Sequence, residues 1–143
     1  MTFYPDTFLR GVPNDDFIDR NTGKAKTNVF QFKANDERND GFLELSINWE
    51  DDDHAIIEIH SRKKENGNLQ FKNGAVRILL SDLNLLNDFP QVAGAISYER
   101  RRLSNNPYHG NLLISENIPK HRIKAISSAI ILIASDPIDR NKN

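Results

Sequence analysis

The feature that most constrains the fold is the run Phe42-Leu43-Glu44-Leu45-Ser46-Ile47-Asn48-Trp49. Apolar side chains at positions 43, 45, 47 and 49 alternate with polar side chains at positions 44, 46 and 48. Successive side chains of a β-strand point to opposite faces, so this strict alternation predicts a half-buried strand. A single strand is not stable alone, and the chain must therefore build a sheet around this segment.

Other segments rich in Val, Ile, Leu and Phe predict the partners of this strand. These strands are predicted at Val29 to Phe32, Gly74 to Leu80, Val92 to Tyr98 and His109 to Ser115. Residues 1–28 are predicted to be extended segments joined by turns, because Asn, Asp, Gly and Pro recur there.

Two main helices are predicted. The first runs from Asp51 to Gly67, because aspartates at its start and basic residues near its end complement the helix dipole, although Ala55 to Ile59 would also suit a strand. The second runs from Ile118 to Ala134, with apolar residues spaced along one face. A short helical turn capped by Ser81-Asp82 is expected between them. This order predicts an α+β fold with an antiparallel or mixed sheet covered by two main helices.

The length of 143 residues predicts a single compact domain over residues 1–135, followed by a frayed tail over residues 136–143. The chain has no cysteine, which excludes disulfides and thiolate metal sites and fits a reducing, cytoplasmic location. The longest apolar run, Ala129 to Ala134, is too short to cross a bilayer, so we expect no membrane partner. Nothing in the sequence predicts a cofactor.

Charge is unevenly distributed along the chain. Residues 1–53 hold 6 Lys and Arg against 12 Asp and Glu, whereas residues 54–143 hold 13 against 8, and the two net charges of −6 and +5 give the overall −1. Pairing between the halves is the first interpretation, and a basic face for an anionic partner is the second. The candidate anion-binding residues are Arg100, Arg101, Arg102, Lys120, Arg122 and Lys124.

The second group of these cations lies at the start of the predicted last helix. A helix N-terminus carries partial positive charge, so each cation there is unfavourable by about 0.3 to 1 kcal/mol. Either an internal carboxylate or an external anion should offset this cost, and the free backbone N–H groups of a helix start would favour a phosphate. The internal or solvated arrangement is ranked first.

His109, in Asn106-Pro107-Tyr108-His109-Gly110, is the first candidate for catalysis, and Arg10 is the second. Histidine exchanges protons in the useful pH range, and a position beside Pro and Gly at the mouth of a strand could hold it in reach of a substrate. A purely structural histidine is the simpler alternative. The other histidines do not form a metal-binding pattern, so no metal site is predicted. A nuclease-like set of Asp40, Glu58 and His60 is ranked low, because it requires Glu58 on a strand.

Four short segments resemble a family of small bacterial proteins of about this length. They are Phe8-Leu9-Arg10, Val29-Phe30 after a glycine-containing turn, Leu45-Ser46-Ile47-Asn48, and Asn106-Pro107-Tyr108-His109 ahead of the last strand and helix. The family pattern usually has an alanine where this chain has Val29. The resemblance implies the domain boundaries and implies no reaction.

Three functional hypotheses follow from the sequence. The first is a non-enzymatic binding or accessory module that acts through protein contacts. The second is binding of nucleic acid or a phosphorylated ligand through the basic residues named above. The third is a small hydrolase or transferase that uses Arg10 and His109.

Overall fold

The computed structural model describes residues 3–140. Its five strands are β1 (Thr7–Gly11), β2 (Phe42–Trp49), β3 (Ala75–Leu79), β4 (Ser97–Arg100) and β5 (His109–Ser115). Its three α-helices are α1 (His54–Ser61), α2 (Leu80–Leu86) and α3 (Lys120–Ile131). The strands form one antiparallel sheet in the order β3-β1-β2-β5-β4. The predicted α+β class is therefore confirmed, and the sheet is antiparallel rather than mixed.

The main core lies on one face of the sheet, where α2 and α3 pack. This core includes Phe8, Trp49 and Leu112 from the strands, together with Leu83 from α2 and Ile126 from α3, all of them buried. A helix and a sheet each bury one apolar face, and packing these faces together supplies most of the hydrophobic stabilisation.

A smaller apolar cluster lies on the other face of the sheet. It joins Leu9 of β1 and Ala75 of β3 to Ala55 and Ile59 of α1 and to Phe71 in the following loop. Because neighbouring strand residues point to opposite faces, Phe8 belongs to the main core and Leu9 to this second cluster. The second face is thus covered at the β1 and β3 side of the sheet.

Two strand predictions were wrong in part or in whole. The segment Thr27–Phe30 forms a 3-10 helix rather than a strand, and it buries Val29 and Phe30 in the main core without pairing them in the sheet. The predicted strand from Val92 to Tyr98 is strand only from Ser97 onward. Residues 90–94 form turns instead, because Gly94, with a φ of 72°, donates its N–H back to Asn87 O and closes the end of α2.

The first predicted helix is shorter than expected. It ends at Ser61, and residues 62–70 form a tight turn in which Lys64 N–H bonds to Asn68 O and Gln70 N–H bonds to Arg62 O. Gly67, with a φ of 86°, belongs to this turn rather than to a helix cap. The cap predicted at Ser81-Asp82 was also wrong, because α2 begins at Leu80 directly after β3.

The residues predicted to form a frayed tail pack in part against the edge of the sheet. Ile138 exchanges two backbone hydrogen bonds with Ala75 of β3, at 2.7 and 3.3 Å. Its carbonyl oxygen also bonds to the ring of His60, at 3.0 Å. A Cβ on Gly74 would overlap the Ile138 carbonyl, so the approach of this segment requires glycine there. Part of the segment 136–140 thus contacts the sheet, residues 141–143 lie outside the described range, and the domain boundary at residue 135 stays a prediction.

Candidate functional site

A polar strip runs across the face of the sheet opposite the main core. On β2 it contains Glu44, Ser46 and Asn48, and on β5 it contains His109 and Asn111. The strand register sets Asn48 opposite His109 and Ser46 opposite Asn111. The polar positions of the alternating run thus meet polar residues of a second strand on a face that α1 covers only in part.

Three adjoining cavities open along this strip, and we call them together the sheet cleft. Arg10, Ser46 and His109 line all three. The largest has a volume of about 680 Å³, and its other lining residues include Lys33, Glu44 and Arg101. The second has a volume of about 520 Å³ and lies beside α1 and Phe71. Cavities of this size are typical of small-molecule sites.

Arg10 occupies a gap between β1 and β2. The ladder between these strands ends at Leu9 and Asn48, so the carbonyl of Ser46 has no strand partner on the β1 side. The Arg10 guanidinium fills that place, with Nη1 donating to Ser46 O and Nε donating to Val29 O, each at 2.9 Å. The Arg10 side chain therefore fills the end of the β1–β2 ladder, where the two strands separate.

Arg10 has no ion-pair partner among the described residues. Burial and then the nearby positive charge of Arg62 lower the pKa of Arg10 from 12.5 to about 10. Arg10 is half-buried, and a charge that is partly withdrawn from water is normally paired with a carboxylate, because burial of an uncompensated charge is unfavourable. Arg10 is thus an uncompensated positive charge at the floor of a cleft, which is a common property of functional sites.

The wall beside α1 is built around Arg62. Its guanidinium forms a bidentate ion pair with Glu58, four residues earlier, and lies 5.1 Å from the ring centroid of Phe71. Glu58 also accepts a hydrogen bond from Asn48 Nδ2 at 2.9 Å, and Asn106 Nδ2 donates to Asn48 Oδ1 at 2.8 Å. This network fixes the α1 wall of the cleft to the floor of the sheet.

His109 is held by its backbone neighbours. Its Nδ1 lies 2.8 Å from the carbonyl oxygen of Arg101, which can only accept a hydrogen bond. Nδ1 must therefore carry the hydrogen, and in the neutral ring Nε2 carries the lone pair. Within residues 3–140 no hydrogen bond engages Nε2, so this nitrogen is free to act on a group in the cleft.

A second charged network closes the other end of the strip. Arg38, whose side chain is 4% exposed, pairs with Glu99 and Asp40 and lies 3.8 Å from Glu44. Glu99 also accepts a hydrogen bond from Asn111 Nδ2 at 2.7 Å. Burial by itself lowers the pKa of Arg38, but the hydrogen bond and charge of Glu99, together with the charges of Asp40 and Glu44, outweigh it and leave the pKa raised. Unlike Arg10, this arginine is compensated.

The predicted basic loop does not act as one patch. Arg100 is engaged internally, because its guanidinium donates two hydrogen bonds of 2.7 Å to Asp51. Arg101 lines the 680 Å³ cavity, and Arg102 is exposed. The pair formed by Arg100 and Asp51, like that of Arg77 with Glu50, joins the basic and acidic halves of the chain as the first interpretation predicted.

The basic start of the last helix lies elsewhere. α3 runs from Lys120 to Ile131 and is therefore shorter at both ends than the predicted helix from Ile118 to Ala134; Lys120 and Lys124 are exposed while Arg122 is half-buried. No ion pair within the described range includes these three residues, and none of them lines the sheet cleft. The basic loop and the helix start flank opposite ends of β5, which spans roughly 20 Å at the usual rise per residue. The two groups are therefore not neighbours.

The residues of the low-ranked nuclease-like set are dispersed. Asp40 pairs with Arg38, Glu58 pairs with Arg62, and His60 bonds to Ile138 O. Across residues 3–140 no three His, Asp or Glu side chains form a cluster that could hold a metal ion. None of the helices in that part of the chain is long and apolar enough to cross a membrane.

The structure brings together two sequence candidates and two residues that sequence reasoning missed. Arg10 and His109, proposed as one site, border the same cavities. Ser46 and Arg62 were not singled out, although the polar positions of the alternating run already placed Ser46 on the less buried face. Arg62 was not recognised as a site residue, because a basic residue near the end of the first predicted helix is explained by the helix dipole alone. Comparison with protein-family models, curated proteins and solved structures finds no match.

Proposed function

We propose that the protein binds a phosphate-bearing organic ligand in the sheet cleft, with Arg10 as the main anchor. The observation that carries this proposal is the half-buried Arg10 guanidinium, which has two carbonyl partners and, among the described residues, no carboxylate partner. An anion bound beside it would supply the missing negative charge. The guanidinium fork suits phosphate oxygens, which it can contact through two parallel N–H groups.

The 520 Å³ cavity is the part of the cleft that best suits such a ligand. Its charged lining comprises Arg10, Arg62 and Lys64 against the single acid Glu58, and Glu58 is already paired with Arg62. The 680 Å³ cavity is electrically balanced, because Arg10, Lys33 and Arg101 face Asp36, Glu37 and Glu44 there. The phosphate is therefore assigned to the α1 side of the cleft.

The same cavity has an apolar wall that favours an organic ligand over a free ion. Pro13, Phe71 and Leu103 line it together with the cations. A pocket of this kind binds the apolar part of a ligand by burial, while a few charged groups fix its orientation. The proposed ligand is accordingly a phosphate ester rather than inorganic phosphate.

Calorimetric titration with phenyl phosphate tests the proposal, with phenol as the uncharged comparison. We expect saturable, salt-sensitive binding of phenyl phosphate, weakened strongly in Arg10→Gln and retained in the double variant Lys120→Ala, Lys124→Ala. The double variant removes two exposed charges outside the cleft and so controls for general electrostatic attraction. Equal weakening in both variants, or equal binding of phenol, would contradict the proposal.

The hypothesis of a non-enzymatic module that acts through protein contacts stays a prediction. Exposed apolar side chains such as Leu85, Phe89 and Leu132 could serve such contacts. The charged groups gathered in the cleft favour ligand binding instead.

A further inference from the structure

Ser46 occupies the centre of the sheet cleft. It is exposed on β2, and it lines all three cavities together with Arg10 and His109. Its carbonyl oxygen accepts the hydrogen bond from Arg10, so the hydroxyl and the guanidinium belong to adjacent groups. Among the described residues no hydrogen bond engages Ser46 Oγ. A solvent-facing serine in a cleft with an uncompensated arginine and a free histidine nitrogen is a candidate nucleophile.

The strand register places Ser46 within reach of His109. Asn48 lies directly opposite His109, and Ser46 lies two residues along β2 on the same face. Diagonal neighbours of this kind have Cα atoms about 7 to 8 Å apart and Cβ atoms somewhat closer, which the long imidazole side chain can bridge. The hydroxyl and the ring therefore face the same cavity from neighbouring strands.

The hydrogen bond from His109 to the Arg101 carbonyl prepares the ring to act as a base. With the hydrogen fixed on Nδ1, the lone pair of the neutral imidazole is on Nε2. A nucleophile, a base and a third group that orients the base form the common arrangement of covalent catalysis. Here these parts are Ser46 Oγ, His109 Nε2 and the Arg101 carbonyl.

We propose that Ser46 is a nucleophile, activated by His109, that takes a phosphoryl group from a phosphodiester bound beside Arg10. This inference rests on the proposed function and names its substrate class. A phosphodiester carries one negative charge, which the Arg10 guanidinium neutralises, and the nucleophile can then approach phosphorus without strong repulsion.

The proposed reaction has two steps. In the first, Ser46 Oγ forms a bond to phosphorus and gives its proton to His109 Nε2, while the bond from phosphorus to the leaving oxygen breaks and that oxygen takes the proton from His109. In the second, water gives a proton to His109 and attacks phosphorus. The Oγ–P bond breaks, the serine oxygen recovers the proton, and a phosphate monoester is released.

The choice of Ser46 as nucleophile follows from the side chains in the cleft. The chain has no cysteine, and the carboxylates nearest the floor, Glu44 and Glu58, lie against Arg38 and Arg62. Asp36 and Glu37 are exposed at the rim of the 680 Å³ cavity. Ser46 is the one hydroxyl-bearing residue among the described residues that line these three cavities with Arg10 and His109.

Covalent labelling with a fluorophosphonate tests this inference without a known substrate. In this reagent fluoride leaves phosphorus as the serine oxygen attacks, so an activated serine becomes phosphonylated and gains a defined mass. We expect one label per chain, located at Ser46 by peptide mass spectrometry. Ser46→Ala should abolish the label, and His109→Gln should slow labelling by about 100-fold or more, the usual contribution of a general base.

Ser97 provides the matched control. It is exposed on β4, in the same sheet, but it pairs with Leu113 and lies away from His109. Ser97→Ala should label at the wild-type rate. Glutamine can still donate to the Arg101 carbonyl, so His109→Gln separates loss of the base from loss of the fold. Thermal unfolding of each variant verifies that the fold is retained.

Phenyl phosphate should protect Ser46 from the reagent in the wild-type protein, and this protection should be lost in Arg10→Gln. If phenyl phosphate binds but Ser46 in the wild type reacts no faster than Ser97, the nucleophile inference fails and the binding proposal stands. If Ser46 reacts but phenyl phosphate neither binds nor protects, the phosphodiester assignment and the proposed function both fail.

Discussion

The substitution Arg10→Gln separates the two roles that the structure gives to Arg10. Glutamine is shorter and uncharged, but its amide can still donate to one of the two carbonyl oxygens that the guanidinium reaches, those of Val29 and Ser46. The variant therefore removes the charge and about one hydrogen bond. A purely structural role of Arg10 and an anion-binding role of Arg10 predict different consequences for this change.

The expected magnitudes follow from the pKa of Arg10. Its lowering from 12.5 to about 10 corresponds to about 3 kcal/mol of unfavourable free energy for the charged side chain in the folded protein. Loss of one hydrogen bond from a charged donor costs about 1.5 to 3 kcal/mol. The two effects oppose each other, so the free energy of unfolding should change by less than about 2 kcal/mol. Relief of a similar free energy by a bound anion corresponds to about a 100-fold loss of affinity in the variant.

Two measurements on the same samples test this reasoning. Urea unfolding is followed by the fluorescence of Trp49, which is the single tryptophan of the chain and is fully buried. Affinity is measured by titration with phenyl phosphate. We expect a large loss of affinity with a small change in stability. Refutation would be the opposite result, in which stability falls by more than about 4 kcal/mol while the dissociation constant of phenyl phosphate is unchanged.

Three further predictions concern the scaffold. Gly110→Ala should lower the free energy of unfolding by about 2 to 5 kcal/mol in urea titrations, because an added Cβ would overlap the indole of Trp49; a change below about 1 kcal/mol would contradict this packing. Tyr108→Phe should raise the pKa of Asp52, measured by NMR titration, because the tyrosine hydrogen bond is the first cause of its lowering below 3.8. The pKa of Asp52 is lower in the folded protein than in the unfolded chain. The contact therefore stabilises the fold above pH 3.8, and this stabilisation is lost as the pH falls through the folded pKa. Wild type and variant should accordingly converge in stability in acid. Ile126→Ala, at a fully buried site on α3, should cost about 2 to 5 kcal/mol by the same urea titration.

The parts of the fold that were predictable from sequence are those with strong periodicity. The run from Phe42 to Trp49 and the apolar face of α3 each have a repeat that matches one type of element. The segment Thr27–Phe30 lacks such a repeat, and its apolar residues serve the core from a 3-10 turn instead of a strand. Short apolar segments are ambiguous for this reason, since burial requires apolar residues in any backbone conformation.

The sequence indicated individual candidate residues of the site, but it did not indicate which of them lie together in the fold. Arg10 and His109 could be chosen by residue type and by their position beside turns. Their meeting depends on the register of β2 with β5 and on the end of the ladder between β1 and β2, which no local pattern encodes. The basic cluster at the start of α3 was the stronger local signal, yet its lysines are exposed and unpaired within the described range. An exposed charge is weakly penalised because water solvates it, so a violation of helix-dipole preference need not indicate a ligand.

The sheet cleft lies where β1 separates from β2, directly after Leu9. Leu9 is the last residue of β1 paired with β2, and Gly11 lies so close to the ring of Phe71 that an added Cβ would overlap it. From Arg10 onward β1 stays with β3 and turns toward the loop that carries Phe71, which leaves the carbonyl of Ser46 without a strand partner. An unsatisfied carbonyl needs a donor, and the arginine that supplies it brings a charge that the scaffold does not neutralise. The same departure of β1 therefore accompanies the cavity, the exposed Ser46 and the positive charge beside it. Phe71→Ala, which removes part of the apolar wall of the 520 Å³ cavity and the ring that Arg62 contacts, should weaken phenyl phosphate binding in the same titration although Phe71 carries no charge.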